Sequence, residues 1–337
     1  MKVYYGKNFW YSGQEGTPLK KIPVHDPAAD GLLAWENRRL CIPAVYVGEE
    51  GAVLDLCVRV PVPDISAYMD KWKDLDYENL SGEELEEAVR ESPFGSDFDI
   101  RLSLDGIPVK GRFGCSTCWN PLQPEAEPDK ETEELMAEYG CSRDYGWLFL
   151  RTSCEWEDSP VLSPKKLECV LSARKRPVTA AHFATDEREE SDTEKRVELT
   201  HPITGDTYTL TVRSCETGQH DGNWGDRDDD WEYPSWYQAL TYTVEPELPI
   251  EDLTVQDCAK GGQPRRKEKE HKEDGEGSSL CAVSVAVVPS YPQDEGEGLK
   301  IRAACSSLYF EPVDKVEWRA VFHVKKKKEL CVAAKLG

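Results

Sequence analysis

Short runs in which apolar and polar residues alternate recur along the whole chain, and Gly, Pro and Asp bound them. Alternation with a period of two is the pattern of a β-strand whose two faces meet different surroundings. Between residues 54 and 60, for example, Leu54, Leu56 and Val58 share one face and Cys57 lies on the other. The pattern predicts mainly antiparallel strands over residues 41–47, 52–60, 99–104, 147–153, 167–173, 196–200, 207–213, 236–244, 280–288, 299–305 and 317–324.

One hairpin is indicated especially clearly within residues 197–212, where Pro202 and Gly205 separate two alternating segments. A second predicted pair joins 280–288 with 299–306. Helical spacing is confined to the first half of the chain. Asp64 is a predicted N-cap for a helix over 65–77, a capping box at residues 81–84 opens 85–92, and a third helix is predicted over 130–139.

These elements predict two mainly antiparallel, sandwich-like β domains with a few short inserted helices. The first would cover residues 1–176 and the second 177–337, because the boundary is expected just after the basic turn at 174–176. The second domain would carry a mobile polar loop near 260–279, where glycines and mixed charges concentrate. A single larger α+β unit is the alternative.

The composition limits the choice of partners. The chain has 337 residues and a formal net charge of −23, which repels nucleic-acid phosphates and anionic lipid surfaces. The longest apolar region, 281–289, is about half of the ~20 residues that a membrane helix needs, and the first residues do not form a secretory signal. We therefore expect a cytoplasmic protein, with its 12 cysteines reduced.

The most acidic stretch, 221–232, contains oxygen-bearing side chains of the kind that hard cations prefer. Four of them fall at the first, third, ninth and twelfth positions of an EF-hand loop: Asp221, Asn223, Asp229 and Glu232. The match fails at Gly225, which has no ligand to offer at position five, and at Asp226, which replaces the glycine of position six. A divalent-cation site and a solvated acidic connection both remain open.

Tryptophans lie within and beside this acidic stretch. Trp224, Trp231 and Trp236 are candidates for stacking on a sugar ring or gripping a cationic group. The alternative is a strand over a core, since Trp236 begins an alternating run with residues 238, 240 and 242. Trp224 is the candidate most expected to be exposed.

The chain contains one CxxC, Cys115 and Cys118, which is half of a zinc site or the seed of a redox motif. No histidine and no second close pair of cysteines accompanies it, so two small side chains near a turn are the alternative. No nucleophile, phosphate-binding or zinc-protease motif is present.

The sequence therefore favours a non-catalytic binding or assembly protein whose partner is another protein or a neutral polar ligand. Two alternatives remain: a divalent-metal-binding protein that uses residues 221–232, and a carbohydrate-active enzyme with carboxylates beside the aromatic cluster at 224–242. No cofactor is expected apart from that possible divalent cation.

Overall fold

The computed structural model describes residues 1–9, 16–26, 32–35, 37–73, 80–123, 130–186, 194–220, 231–267 and 300–336. Over these residues the chain is mainly β, as the sequence predicts, with antiparallel strands in curled sheets. In chain order the strands are β1 (Lys20–Pro23), β2 (Leu33–Trp35), β3 (Arg38–Val47), β4 (Gly51–Val60), β5 (Phe98–Leu104), β6 (Ile107–Trp119), β7 (Gly146–Trp156), β8 (Lys166–Ala173), β9 (Lys175–Asp186), β10 (Arg196–Thr200), β11 (Thr207–Gln219), β12 (Trp231–Glu232), β13 (Trp236–Glu245), β14 (Leu253–Asp257), β15 (Arg265–Arg266), β16 (Arg302–Cys305), β17 (Lys315–Lys325) and β18 (Glu329–Lys335).

The chain forms two compact units. The first comprises residues 1–76, 87–174 and 326–337, and the second comprises 77–86 and 175–325. The first unit holds a nine-stranded sheet in the order β1-β3-β4-β7-β6-β5-β8-β18, with β2 paired to β3. The division into domains at residue 177, and their sandwich-like form, stay predictions.

Strand β4 shows how alternation builds the first unit. Leu54, Leu56 and Val58 pack into one buried cluster, whereas Cys57 packs into another with Trp147 and Phe149. The predicted faces of this strand are therefore confirmed. Both faces of the sheet are covered here, so that β4 is buried along almost its whole length.

The described residues contain three α-helices: α1 (Val62–Trp72), α2 (Gly82–Glu91) and α3 (Lys130–Glu138). The predicted capping box of α2 is confirmed, because Ser81 Oγ accepts from the Glu84 amide (3.2 Å) and the Glu84 carboxylate accepts from the Ser81 amide (2.8 Å). The predicted Asp64 cap of α1 is wrong. The helix starts earlier, after Pro61, because a second proline fits its first turn, where an amide hydrogen is not needed.

The second unit contains a four-stranded sheet (β10-β11-β13-β16), a three-stranded sheet (β14-β17-β9) and the short pair β12-β15. The predicted hairpin is confirmed as β10 and β11, which pair from Thr200 opposite Thr207 back to Arg196 opposite Thr211. Gly205 adopts a positive φ of 76° in its turn. The predicted strand 280–288 and residues 268–279 of the predicted polar loop lie outside the described residues.

Candidate functional site

The acidic stretch that the sequence singles out is described only at its end. Asp221, Asn223, Trp224 and Asp229 lie outside the described residues, and Glu232 belongs to β12. Arg265 donates from Nε to the Glu232 carboxylate at 2.8 Å, and this hydrogen bond holds the pKa of Glu232 below its ordinary value. The described ranges contain no cluster of three His, Cys, Asp or Glu able to hold a metal ion. The metal site stays a prediction.

The structure places Trp231 and Trp236 at the starts of β12 and β13. Trp231 lies opposite Arg266, and the main chain of Trp236 exchanges hydrogen bonds with Tyr309 at 2.9 and 2.7 Å. Both indole side chains are half-buried. Further along β13 the predicted core face is confirmed, since the side chains at positions 238, 240 and 242 are buried. A ligand site that uses these tryptophans stays a prediction.

The two cysteines of the CxxC lie within strand β6 rather than at a turn. Residues three apart in a strand point to opposite faces, so Cys115 and Cys118 do not converge as zinc or redox pairs do. Burial raises the pKa of the half-buried Cys115 thiol, which keeps it protonated and weakly nucleophilic at neutral pH.

A charged network is buried in the first unit between β4 and β7. Arg151 donates from Nε and Nη2 to the two carboxylate oxygens of Asp55 at 2.8 and 2.7 Å, and Tyr139 donates to the same carboxylate at 2.6 Å. The Tyr46 hydroxyl lies 2.8 Å from that of Tyr139. Burial disfavours the charged form of Arg151, but the hydrogen bonds to Asp55 and the charge of Asp55 raise the pKa of Arg151 above its ordinary value. Each charge in this network has its partner, which indicates a structural role.

A cleft opens in the same sheet between β5 and β6. The two strands are joined by a two-residue turn at Asp105 and Gly106, whose φ angles are 52° and 81°. They pair only from Leu104 opposite Ile107 to Leu102 opposite Val109. Beyond that point β5 remains paired with β8, and β6 remains paired with β7. The separated arms enclose a cavity of about 510 Å³.

The separation begins at an irregularity in β6. The register of β6 against β7 shifts between Gly111 and Phe113, and a bulge of this kind bends a strand and increases its twist. The residues that follow, up to 116, form one wall of the cleft, and 98–100 of β5 form the other. Phe113 keeps 42% of its surface exposed there. Leu150 and its neighbours in β7 contribute further lining.

Both walls present strand edges to the cavity. The Asp97 carbonyl accepts from the Arg174 amide, and the Asp105 amide donates to the Lys166 carbonyl, each at 2.9 Å on the β8 side. Because main-chain groups alternate sides along an antiparallel strand, those at positions 98 and 100 face the cleft. No described strand pairs with the cleft side of β5 at positions 98–100. No described strand pairs with the cleft side of β6 beyond Val109 either.

Arginines outnumber carboxylates in the lining of the cleft, the reverse of the chain as a whole. Its lining includes Arg112, Arg151 and Arg174 against one acidic residue, Asp99. Arg151 is neutralised in the buried network, whereas the Arg174 Nε bonds Asp99 Oδ1 at 2.8 Å and Arg112 bonds the Glu155 carboxylate. The Arg112 and Arg174 side chains are more than half exposed.

The sequence contains one signal for this cleft that the strand predictions did not use. Asp-Gly after the predicted strand 99–104 is a typical two-residue hairpin turn and indicates a second arm, which is β6. No comparable signal predicts that the arms separate, because that depends on β7 and β8 holding them on opposite sides.

The chain matches no protein-family model, no curated protein and no solved structure. Within the described ranges, no helix has the length and apolar character that crossing a membrane requires.

Proposed function

We propose that this chain is a non-catalytic binding protein that receives an extended polypeptide segment as an added strand in the cleft between β5 and β6. The observation that carries this proposal is that two strand edges without a strand partner among the described residues face one cavity. Unpaired edges accept further strands, and main-chain hydrogen bonds then supply much of the affinity.

The dimensions of the cleft suit such a ligand. The cavity of about 510 Å³ lies in the ~300–1,000 Å³ range of small-molecule sites, so it would hold the few residues of the segment that lie between the two arms. From Val109 the strand β6 continues to Trp119, and an extended segment laid along it would run for ~30 Å at ~3.3 Å per residue. Since β5 and β6 are antiparallel, the ligand would run antiparallel to one wall and parallel to the other.

The lining favours binding over chemistry. Its thiol, Cys115, has a raised pKa, and the exposed arginines are engaged in ion pairs. Arginines can hold and orient a ligand. Nucleophilic catalysis instead needs an activated nucleophile beside a base. The metal-binding alternative depends on residues 221–232 and the carbohydrate-active one on the aromatic cluster at 224–242, and neither gains support from this cleft.

The test is a selection of displayed random peptides, about ten residues long to match the edge, on the whole chain and in parallel on Gly114→Val. Gly114 lines the cleft, and a Cβ there meets nothing closer than the Arg151 carbonyl oxygen at 3.8 Å, so the wall accepts the first atom of a bulkier side chain. We expect peptides that bind the wild type at least ~10-fold more tightly than the variant. They should also protect the amides of β6 from hydrogen exchange.

A matched pair of variants locates the site. Phe113 and Ile107 are both exposed apolar residues of β6, but only Phe113 belongs to the cleft lining. Phe113→Ala should weaken the selected peptides and Ile107→Ala should not. Peptides that bind the wild type and Gly114→Val equally, or a selection that enriches none, would refute the proposal.

A further inference from the structure

We propose, on the basis of the strand-addition function above, that the bound segment alternates apolar and acidic side chains. The cleft differs on its two faces, and successive side chains of an inserted strand point to opposite faces. The ligand's pattern can therefore be inferred from what each face of β5 presents.

One face of the cleft is apolar. Phe98 is buried in the main cluster of the first unit, and Ile100 and Leu150 pack against that cluster. All three line the cavity. Every second side chain of an inserted strand would meet this surface, so that apolar residues there extend an existing core.

The opposite face carries the exposed charges, together with Phe113 of β6. Asp99 alternates with Phe98 and Ile100 along β5, and its partner Arg174 reaches it from the residue after β8. On the other wall, Arg112 is paired with Glu155, which does not line the cavity.

Guanidinium groups are the site's best donors for a ligand. Each guanidinium can donate two parallel hydrogen bonds to the two oxygens of one carboxylate. Exposed ion pairs contribute little to stability, so a ligand carboxylate can replace Glu155 or Asp99 at little cost. The chain as a whole has a net charge of −23, but an acidic segment in this cleft could reach two exposed arginines, Arg112 and Arg174.

The experiment uses three fluorescent peptides of about ten residues, in which valine alternates with Glu, Gln or Lys, and measures anisotropy with the full chain. We expect the Glu peptide to bind ~10-fold more tightly than the Gln peptide at low salt, with the Lys peptide weakest. Added salt should narrow the difference, because it screens exposed charges.

Charge reversal provides the control. Arg112→Glu and Arg174→Glu should each weaken the Glu peptide and strengthen the Lys peptide, whereas Arg143→Glu should change neither, because Arg143 is an exposed, ion-paired arginine outside the cleft. The acidic preference is wrong, while strand addition stands, if the Gln peptide binds as tightly as the Glu peptide. The same holds if the peptides selected by display bind but the Glu, Gln and Lys peptides do not. If no peptide of any kind binds, strand addition itself fails.

Discussion

Each compact unit buries a polar network, and the two networks differ in charge. The first unit buries a charged pair, Asp55 and Arg151, with 2% and 3% of their side-chain surfaces exposed. The second buries a neutral network around Gln238, whose amide accepts from the Thr185 hydroxyl and donates to the Asp314 carbonyl at 3.0 Å. Trp318 Nε1 donates to the same threonine at 2.7 Å.

The difference determines what a single substitution leaves behind. Removing one member of a buried ion pair strands a charge in a poorly polarisable interior, which costs ~3–5 kcal/mol. Removing one member of a neutral network strands a donor or acceptor, which costs ~1–3 kcal/mol. We therefore expect the charged network around Asp55 to be more sensitive than the neutral network around Gln238 to a single polar-to-apolar change.

The largest effect is expected for Arg151→Met. This change keeps most of the side-chain volume but leaves the Asp55 carboxylate with Tyr139 as its remaining hydrogen-bond donor among the side chains described above. We expect the free energy of unfolding to fall by ~3–5 kcal/mol in urea titrations. Hydrogen exchange of β4 and β7 should speed up more than that of β13 and β17.

Two further variants test whether the stranded charge is the cause. Arg101→Met removes an exposed arginine paired with Glu329 and should cost ~0–1 kcal/mol. The double variant Asp55→Leu/Arg151→Met removes both charges and should recover most of the loss, because buried pairs are often replaceable by apolar groups. A double variant no more stable than Arg151→Met would contradict this account.

The second effect is expected for Gln238→Leu in the other unit. The Thr185 hydroxyl loses its acceptor and two main-chain carbonyls lose a donor, so unfolding free energy should fall by ~1–3 kcal/mol. Gln219→Leu is the control, because Gln219 is exposed and its amide bonds Ser235 at 3.3 Å. That variant should stay within ~0.5 kcal/mol of the wild type. Equal losses in the two variants would show that burial of the network does not matter.

The two networks also show what the sequence can predict and what it cannot predict. Strand β4 and the hairpin β10-β11 are predictable because alternation and turn residues act locally. The pairing of Asp55 with Arg151, 96 positions apart, depends on β4 and β7 becoming neighbours. The cleft is equally non-local, since its arms separate only because each follows a different neighbour. The acidic residues of 221–232 are clustered in the sequence, whereas the arginines of the cleft are scattered along it.

The smallest effect, and the one that places both units under one test, is their response to mild acid. Burial lowers the pKa of His25 in the first unit and of His323 in the second below the ordinary value of 6.5. A histidine whose pKa is lower folded than unfolded contributes stability that is present above the unfolded pKa and is lost as the pH falls below it. Both units should therefore lose stability between pH 7 and pH 5.

His25→Asn and His323→Gln keep an acceptor for the Ile42 amide and a partner for the Thr254 hydroxyl, respectively, but do not titrate. Each should flatten the pH dependence of hydrogen exchange in its own unit, at β3 or at β17. A variant that leaves the pH dependence of its own unit unchanged would show that its histidine does not contribute to it.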